Sequence, residues 1–445
     1  QAATAITNAA GDYFFANLNI GAGYVVTPSK PGYAFTPPSA SFGNNGFESL
    51  TANFSAALIP VGANSIGFTQ ANYGYGEGDG RATFTITRTG DTSGAVTVNY
   101  RTTDSDLFTV GCADPASNGG GAYARCDFAT TVGTLSFAPG ELSKTVTVPI
   151  LDDAHDEGTE IFRLELSNPA GTGTTLGALS VATVTLSDND AATGANPVTN
   201  SNSFFVRQQY LDFLSREPEA GEPWSGVLAR CANIFTGPSV VTDCDRIAVS
   251  QAFFGSPEFR LKGFYAFRFY KLAFNRLPEY TEIVSDMSFV AGATEAEVNA
   301  RRAQLAEAFT AHPHFQMAYG GLTNGQYVAA LLGRYGLSSV TTPDPANPDS
   351  NTRVTFTGEG LLNHLDANFM TRAQVFRAIA DSDQVQTVEF NSAFVAVQYY
   401  GYLRRTPEPA GYQDNLNALQ RGVSPREMVN AFLNSAEYRL RFGQP

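Results

Sequence analysis

The stretch TVTVPILDDAHDEGTEIFRLEL, Thr145–Leu166, alternates apolar and polar residues on both sides of a short acidic segment. The residues on the apolar faces are Val146, Val148, Ile150, Phe162, Leu164 and Leu166. Alternation with a period of two is typical of strands that bury one face. The stretch therefore predicts two antiparallel strands joined by an acidic loop, as in a β-sandwich.

The pattern continues on either side of this stretch and then changes. ATFTIT, which starts at Ala82, places Ala82, Phe84 and Ile86 on one face, and Gly-rich turns separate similar segments through residues 67–190. Residues 1–57 are rich in Gly, Pro, Asn and aromatics, with short alternating segments such as GYVVTPS. After a polar linker, FFVRQQYLDFL and MVNAFLNSAEYRLRF carry apolar residues at helical spacing.

The chain is therefore predicted to be multidomain, with two all-β immunoglobulin-like sandwich modules, the first incomplete, followed by an all-α helical domain. The predicted boundaries are residues 1–57 for the first module, 58–66 for a linker, 67–190 for the second module, 191–202 for a linker and 203–445 for the helical domain. FVRQQYLDFLSREP from Phe205 recurs as FVAVQYYGYLRRTP from Phe394. Such recurrences predict about four degenerate helical repeats that pack on one another.

Composition excludes some classes of function. The formal net charge is −14, from 42 acidic and 28 basic residues, so no basic surface for nucleic acid is expected. No apolar run reaches 18 residues, which argues against a membrane span. No nucleophile elbow, zinc-protease motif, P-loop or dinucleotide fingerprint stands in a suitable context, so we expect no enzyme.

The four cysteines form two local pairs, Cys112 with Cys126 and Cys231 with Cys244, and neither pair has metal or redox spacing. Each pair brackets a loop of turn-forming residues, which favours two disulfides; four buried free thiols are the alternative. Disulfides would indicate an oxidising compartment outside the cytoplasm. The absence of a signal peptide then fits a mature form from which it has been removed.

The middle region resembles a Calx-beta domain, through GEGDGRATFTITRTG, VNYRTTDSD, GTLSFAPGELSKTVTVPILDDAHDEGTEIFRLELSNP and ATVTLSDND. The resemblance implies a seven-stranded immunoglobulin-like sandwich, some members of which bind Ca²⁺ through acidic loops at one end. Carried over by motif, the candidate Ca²⁺ ligands are Glu77, Asp104, Asp152, Asp153, Glu157, Glu160, Asp188 and Asp190. Asn189 interrupts the last acidic run, and the insertion at 112–126 is a second departure from the pattern.

Electrostatics supports the same cofactor. Two carboxylates 4 Å apart repel by about 4 kcal/mol at an effective dielectric constant near 20. Ca²⁺ takes six to eight oxygen ligands and suits flexible carboxylate loops, so it would relieve that repulsion. A solvated acidic surface without metal is the alternative. His155 lies among these acids and is expected to be solvated, and His312 and His314 are expected on a surface turn.

Two further resemblances concern the ends of the chain. Residues 1–57 resemble the later part of a carboxypeptidase-regulatory or SdrD B-like module that lacks its first strands. Residues from about 203 to 443 resemble a helical family of unknown function, number 4214, which is found in secreted bacterial proteins with Calx-beta modules. Together the resemblances suggest a secreted bacterial protein of acidobacterial type.

The sequence thus predicts an extracellular structural protein that assembles with copies of itself into a filament or surface layer. A strand from a neighbouring subunit would complete the first module, as in donor-strand complementation. RFGQP at 441–445 and the 340–356 loop are candidate donors. One alternative is a monomeric adhesin, stiffened by Ca²⁺, that binds glycan or cell-surface ligands. Another is that the N-terminus is a processing boundary and the missing strands lie upstream in the precursor.

Overall fold

The structure is a computed structural model of the chain. It describes residues 3–8, 10–16, 18–19, 22–30, 33–43, 50–58, 62–104, 111–112, 120–191, 194–291, 294–345 and 352–444. All structural statements concern these residues.

The N-terminal segment forms two small sheets. Its strands are β1 (Tyr24–Val26), β2 (Tyr33–Thr36), β3 (Ala40–Phe42) and β4 (Ser55–Leu58). Strand β1 pairs with β3, and β2 pairs with β4, both antiparallel. None of the described residues up to position 57 is buried, so these strands enclose no core of their own.

A sandwich of two sheets follows. Its strands are β5 (Asn64–Phe68), β6 (Asn72–Gly76), β7 (Arg81–Gly90), β8 (Val96–Thr103), β9 (Val132–Phe137), β10 (Ser143–Pro149), β11 (Thr159–Ala170), β12 (Thr174–Leu176) and β13 (Val181–Ser187). One sheet has the order β10-β7-β5-β12 and the other β6-β13-β11-β8-β9. Strand β5 begins inside the predicted 58–66 linker, so the boundary predicted at residue 67 is three residues late.

The core of the sandwich is the set of apolar faces that the period-two pattern predicts. Val146 lies opposite Phe84 in the β10–β7 register, and Leu164 lies opposite Ala182 in the β11–β13 register. The predicted core residues that are buried are Ala82, Phe84, Ile86, Val146, Val148, Ile150, Phe162, Leu164 and Leu166. The two predicted strands and their buried faces are confirmed, and β10 and β11, which flank the acidic loop, lie in different sheets of the sandwich.

The C-terminal region is helical. Its helices are α1 (Pro197–Asn200), α2 (Asn202–Leu214), α3 (Trp224–Leu228), α4 (Arg246–Gly255), α5 (Pro257–Leu261), α6 (Gly263–Phe274), α7 (Tyr280–Phe289), α8 (Glu295–Ala311), α9 (Pro313–Tyr319), α10 (Asn324–Gly333), α11 (Gly358–Asp366), α12 (Arg372–Ala380), α13 (Asp383–Tyr402), α14 (Pro409–Gln420), α15 (Pro425–Leu433) and α16 (Ala436–Arg439). Aromatic rings fill one continuous core across these helices, as expected for Tyr210, Phe213, Phe269, Tyr399 and Tyr402. The number of repeats stays a prediction.

Three predictions about the helical region need correction. The region is not all-α, because β14 (Ser339–Pro343) and β15 (Arg353–Thr357) form an antiparallel hairpin within the predicted 340–356 loop. The described part of the predicted 441–445 donor, residues 441–444, is packed, since Phe442 is buried in the helical core and Asn196 donates hydrogen bonds to the carbonyls of Gly443 and Gln444. Neither segment is therefore a free donor strand in this fold.

Residues 194–202 of the second predicted linker, 191–202, are also structured. Asn196 is buried, caps α1 through its side chain and donates to the carbonyl of Arg439 at 2.9 Å. Its side chain thus ties the C-terminal tail to the segment that leaves the sandwich. This segment joins the two regions through specific hydrogen bonds.

Candidate metal centre

One pole of the sandwich gathers acidic residues from three loops. Strand β6 leads into a 3₁₀ turn that begins at Glu77, β10 leads into the 150–158 loop, and β13 ends at Ser187. Ser187 lies opposite Gly76 in the parallel β13–β6 pair and opposite Thr159 in the antiparallel β11–β13 pair. The register of two strand pairs therefore brings the three acidic loops together.

The carboxylates form two adjacent groups. In the Glu77 group, ligand oxygens of Glu77, Asp188 and Asp190 lie within 4.8 Å of one another. In the Asp127 group, the same limit holds for Asp127, Asp153 and Glu157. We call these six residues together with Glu160, which is buried on β11 beside them, the acidic pole.

Asp188 holds the two groups in place through backbone hydrogen bonds. Its Oδ2 accepts from the backbone N–H of Glu157 at 2.7 Å and from that of Gly158 at 3.0 Å. Its Oδ1 accepts from the N–H of Asp190 at 2.7 Å. Gly158 has a φ of +81°, a conformation that glycine adopts without strain, so the loop can turn at this point.

Five oxygens in the two groups are buried and have no hydrogen-bond partner among the described residues. They are Oε2 of Glu77, Oδ1 of Asp127, Oδ2 of Asp153, Oε2 of Glu157 and Oδ2 of Asp190. Leaving one buried polar group unsatisfied costs about 1–3 kcal/mol, and more when the group is charged. Within the described part of the chain, no arginine or lysine forms an ion pair with any of the five side chains. Their negative charges are therefore not balanced by a described basic residue.

The pKa values of these carboxyls are raised as a result. Burial is the largest cause, and the charges of the neighbouring carboxylates add to it. The pKa of Glu77 rises to about 9, that of Asp153 to about 8 and that of Glu157 to about 10. The pKa of Asp127 is also raised well above its ordinary value, and that of Asp190 is raised for the same reasons.

A hard divalent cation fits this donor set. All donors are oxygens, and two carboxylates up to 4.8 Å apart repel by at least about 3 kcal/mol at an effective dielectric constant near 20. Ca²⁺ accepts six to eight oxygens in flexible geometry, whereas Zn²⁺ prefers nitrogen and sulfur ligands. The two groups consist of aspartate and glutamate side chains, so their chemistry matches Ca²⁺.

The eight predicted ligands divide into three sets. Glu77, Asp153, Glu157, Asp188 and Asp190 lie in the two groups, and Glu160 lies beside them. Asp152 is exposed and accepts a hydrogen bond from Asn189 Nδ2 at 3.1 Å, outside both groups. Asp104 is also outside them, because its Oδ2 accepts from the backbone N–H of Ala124 at 2.7 Å.

Asp127 is the residue that sequence reasoning missed. It follows Cys126 directly, and the Cys112–Cys126 disulfide closes the insertion beside it. Its carbonyl accepts from the N–H of Leu151 at 2.8 Å, and the next residue, Phe128, forms a β-bridge with Ile150. The end of the insertion is thereby fixed against the 150–158 loop. Its position beside a paired cysteine is the one signal that could have indicated it.

The helical region packs against the outer side of the same loops. Arg207 on α2 donates to the carbonyl of Ile150 at 2.9 Å and to that of Gly80 at 2.8 Å. Arg441 donates from Nε to the carbonyl of Arg125 at 2.7 Å. The loops that carry the acidic residues are thus held on one side by the sandwich and on the other by helices.

His155 was expected to be solvated, and this was wrong. It is buried, and its Nε2 lies 2.9 Å from the carbonyl oxygen of Leu440. Burial lowers the pKa of its imidazole, so the ring is held neutral in this contact. The ring of His155 therefore contacts the helical region, while its backbone N–H donates to Oδ1 of Asp153 at 2.8 Å.

The prediction of two disulfides is confirmed, since Cys112 is bonded to Cys126 and Cys231 to Cys244. His312 and His314 lie in the turn at the start of α9, and their ring centroids are 5.2 Å apart. No helix within the described part of the chain combines the length and apolar character needed to cross a membrane.

Different family models match the sandwich and the helical region. The Calx-beta domain model matches residues 62–107 and 115–190. The model described as a domain of unknown function, DUF4214, matches residues 386–442, the C-terminal part of the helical segment in which the resemblance was seen.

Similarity to individual proteins is confined to part of the chain. The chain is 34% identical over 157 residues to sodium/calcium exchanger 1 of Mus musculus, which covers 31% of this chain and 15% of the exchanger. It is 40% identical over 87 residues to adhesion G-protein coupled receptor V1 of Danio rerio, covering 20% of this chain and 1% of the receptor. The chain therefore spans a small fraction of the length of these curated relatives.

Solved structures give similar coverage. The apo-form Calx CBD1 domain is 30% identical, with a TM-score of 0.25, and the match covers 29% of this chain and 99% of that domain. A calcium binding domain, CBD12 of CALX1.1, is 31% identical, with a TM-score of 0.24, and the match covers 28% of this chain and 47% of that one. The Calx-beta match and the DUF4214 match lie in different parts of the chain, and the acidic pole lies within the Calx-beta match.

Proposed function

We propose that this chain is an extracellular structural protein whose acidic pole binds Ca²⁺ and thereby stiffens the sandwich and its junction with the helices. The observation that carries the proposal is the set of five buried carboxylate oxygens without a hydrogen-bond partner, in two groups that no described arginine or lysine neutralises. Glu77, Asp188 and Asp190 would hold one cation, and Asp127, Asp153 and Glu157 a second. The bound cation would supply the missing positive charge.

The proposed role is mechanical rather than catalytic. The acidic loops are backed by Arg207 and Arg441 of the helical region, so fixing the loops would also fix the surface on which the helices rest. A disulfide in each region supports an oxidising, extracellular location. A bacterial surface, with glycan or protein ligands for the helical region, is part of the same proposal.

The test is a calorimetric titration of the full chain, freed of metal, with CaCl₂ and separately with MgCl₂. We expect saturable Ca²⁺ binding and much weaker Mg²⁺ binding, because Mg²⁺ requires near-ideal octahedral geometry. Asp153→Asn should weaken Ca²⁺ binding by about tenfold or more, since the site loses a charged ligand. Asp156→Asn is the matched control, because Asp156 is an exposed acid of the same loop. Equal binding by both variants would refute the proposed ligand set.

Self-assembly is the second candidate function, and the N-terminal segment is the observation that favours it. Its two sheets have two strands each, and such units are marginal on their own. Ile6, Phe14 and Val25 are 92%, 80% and 66% exposed. A strand from a neighbouring copy would cover this apolar surface and complete a module.

Electron microscopy and sedimentation velocity test this second candidate. Filaments or concentration-dependent oligomers that disappear on Phe14→Ser support assembly, with Leu142→Ser, an exposed apolar residue of the sandwich, as the control. A monomer at all concentrations supports the alternative of a monomeric, Ca²⁺-stiffened adhesin. The donor strand would have to come from a segment other than 441–444 or the β14–β15 hairpin, because both are packed within their own chain.

A further inference from the structure

A cavity of about 270 Å³ lies in the helical region, and none of its lining residues belongs to the acidic pole. It is enclosed by the ends of α1 and α15, the start of α4, the short helix α16 and the 234–236 segment. Its polar and aromatic lining includes Thr199, Phe235, Thr236, Arg246, Tyr438 and Arg439. We call this the arginine cavity, and none of the described residues that line it is acidic.

Arg246 is buried at the wall of the cavity and has no acidic partner among the described residues. It is 4% exposed, and its guanidinium lies between the rings of Phe205 and Phe235, at 4.7 and 4.6 Å from their centroids. Its two Nη groups donate to neutral oxygens, the carbonyl of Val198 and Oδ1 of Asn202. Its Nε–H is buried and has no acceptor in the described part of the chain.

Arg439 brings a second positive charge to the same cavity. One Nη donates to the amide oxygen of Asn434, and its buried Nε–H has no acceptor among the described residues. No ion pair is formed by Arg246 or Arg439 with a described carboxylate. Burial lowers the pKa of Arg246 to about 10; the neighbouring Tyr438 acts against this shift, and the charge of Arg439 adds to it.

The nearest acidic residues in sequence are already neutralised. Asp245, adjacent to Arg246, is paired with Arg426, and Glu437 is paired with Arg405 at 2.6 Å. The arginine cavity is thus a concentration of positive charge that no described carboxylate pairs, in a chain whose net charge is −14. Burying a charge without a partner is costly, so a site of this kind is satisfied by an anion that enters it.

The walls and the volume restrict what that anion can be. Besides the two arginines and two threonines, the cavity is lined mainly by apolar or aromatic side chains such as Ile234, Phe235 and Tyr438. About 270 Å³ is slightly below the usual range of small-molecule pockets, so a single ring with one charged substituent would fit. An inorganic ion would leave the apolar walls in contact with water.

We propose that the arginine cavity binds a small organic acid, a molecule with a single ring that carries one carboxylate. The carboxylate would accept hydrogen bonds from Arg439 and Arg246, and the ring would lie against Phe235 and Tyr438. A monoanion is favoured over a phosphate monoester because the ester carries about −1.5 to −2 charges at pH 7, and a dianion loses more hydration in a half-apolar cavity. This site is separate from the acidic pole and does not depend on Ca²⁺.

The experiment measures binding to the full chain by isothermal titration calorimetry at low ionic strength, with four probes. Benzoate and glucuronate represent carboxylates on a ring, benzyl alcohol is the neutral counterpart of benzoate, and phenyl phosphate is the dianionic counterpart. We expect saturable binding of at least one carboxylate, at least about tenfold tighter than benzyl alcohol and tighter than phenyl phosphate, because charge-assisted hydrogen bonds are the stronger ones.

Two variants assign the binding to this cavity. Arg439→Gln should weaken carboxylate binding by about tenfold or more, and Arg421→Gln, a change at an exposed arginine in another turn, should leave it unchanged. Phe235→Ala, at a residue that is 58% exposed, should weaken binding without loss of fold. Carboxylate binding no better than benzyl alcohol, tighter phenyl phosphate binding, or equal affinities in the two arginine variants would overturn the proposal.

Discussion

The helical region and the acidic pole both bury carboxylates, but they balance the charge in different ways. In the helical region Asp381 is buried and is paired with Arg268 at 2.6 Å, Arg302 at 3.0 Å and Arg377 at 3.5 Å. Asp212 is paired with Arg404 and Arg441 in the same manner, each at 3.2 Å. In the acidic pole, by contrast, no described arginine or lysine forms an ion pair with the six carboxylates of the two groups.

The pKa values of the two regions show what this difference does. Burial acts to raise the pKa of Asp381, but the charges of Arg302 and Arg268 outweigh it and hold the pKa below its ordinary value. Burial of Asp153 is not offset, and its pKa rises to about 8. Comparable burial therefore gives opposite shifts, and the presence of a fixed cation decides the sign.

The comparison indicates a division of roles. Asp381 and Asp212 of the helical region have arginine side chains as counter-ions, so their contribution to stability should not depend on dissolved metal. The two groups of the acidic pole have no such partner among the described residues, so their stability should depend on a cation from solution. Substitutions on either side of this comparison test the division.

The largest effect is expected from Asp381→Asn. This change leaves Arg268, Arg302 and Arg377 without their shared carboxylate, and breaking a buried ion pair costs about 3–5 kcal/mol. Urea unfolding should show this loss equally in EDTA and in Ca²⁺, because the site uses no metal. Asp414→Asn, at an exposed helical acid, is the control and should shift the free energy of unfolding by less than about 0.5 kcal/mol. A loss of stability that Ca²⁺ reverses would contradict the difference drawn between Asp381 and the acidic pole.

The second prediction is that Glu157→Gln changes the stability of the protein in opposite directions in EDTA and in Ca²⁺. In EDTA the variant should be more stable than the parent chain by about 1–2 kcal/mol, because one of several mutually repelling carboxylates is removed. In saturating Ca²⁺ it should be less stable, since a ligand at about 100 times its Kd adds about 2.7 kcal/mol to a protein that binds it fully. Thermal melts of both proteins in both buffers give the four values. The same sign in both buffers would mean that the charge of Glu157 is not coupled to metal.

The pH dependence of the chelated protein is the third prediction. Glu77, Asp153 and Glu157 have pKa values raised to about 9, 8 and 10, so the folded state holds protons that the unfolded chain releases near its ordinary carboxyl pKa of about 4. The stabilising contribution of these carboxyls is complete below about pH 4 and is lost as pH rises through about 8 to 10. In EDTA we expect the protein to be at least about 2 kcal/mol less stable at about pH 8 than at about pH 5. With Ca²⁺ bound the carboxylates are ionised, so the difference between the Ca²⁺ and EDTA curves should grow with pH. A constant difference would contradict the proposed site.

The sequence predicted the parts of the fold that depend on local periodicity. Val146, Val148 and Phe162 are buried where the period-two pattern places them, because a strand's pleat alone determines which face a residue occupies. The helical region was recognised because its apolar residues recur at helical spacing, which is also a local pattern. The β14–β15 hairpin was missed because its two strands are short and the segment between them reads as a loop.

The candidate site was predicted less completely because it depends on contacts between distant residues. Asp127 and Asp153 meet through the Phe128–Ile150 bridge and the Leu151–Asp127 hydrogen bond, across an insertion for which periodicity gives no register. His155 was placed in solvent because the sequence does not show that the carbonyl of Leu440 would cover it. Motif transfer located the three acidic loops, and the packing of the insertion decided which acids face inward.

The smallest effect is expected from Asp104→Asn, and it sharpens the comparison within the acidic pole. Asp104 accepts a hydrogen bond from Ala124 outside both groups, so the change should alter Ca²⁺ affinity by less than about twofold and cost about 1 kcal/mol of stability. Asp127→Asn removes an inward carboxylate and should weaken Ca²⁺ binding by about tenfold or more. Calorimetric titration of the two variants side by side gives the ratio. A larger loss at Asp104 than at Asp127 would mean that cation binding draws Asp104 into the pole and displaces the insertion, in which case the motif would predict the ligands better than the metal-free geometry does.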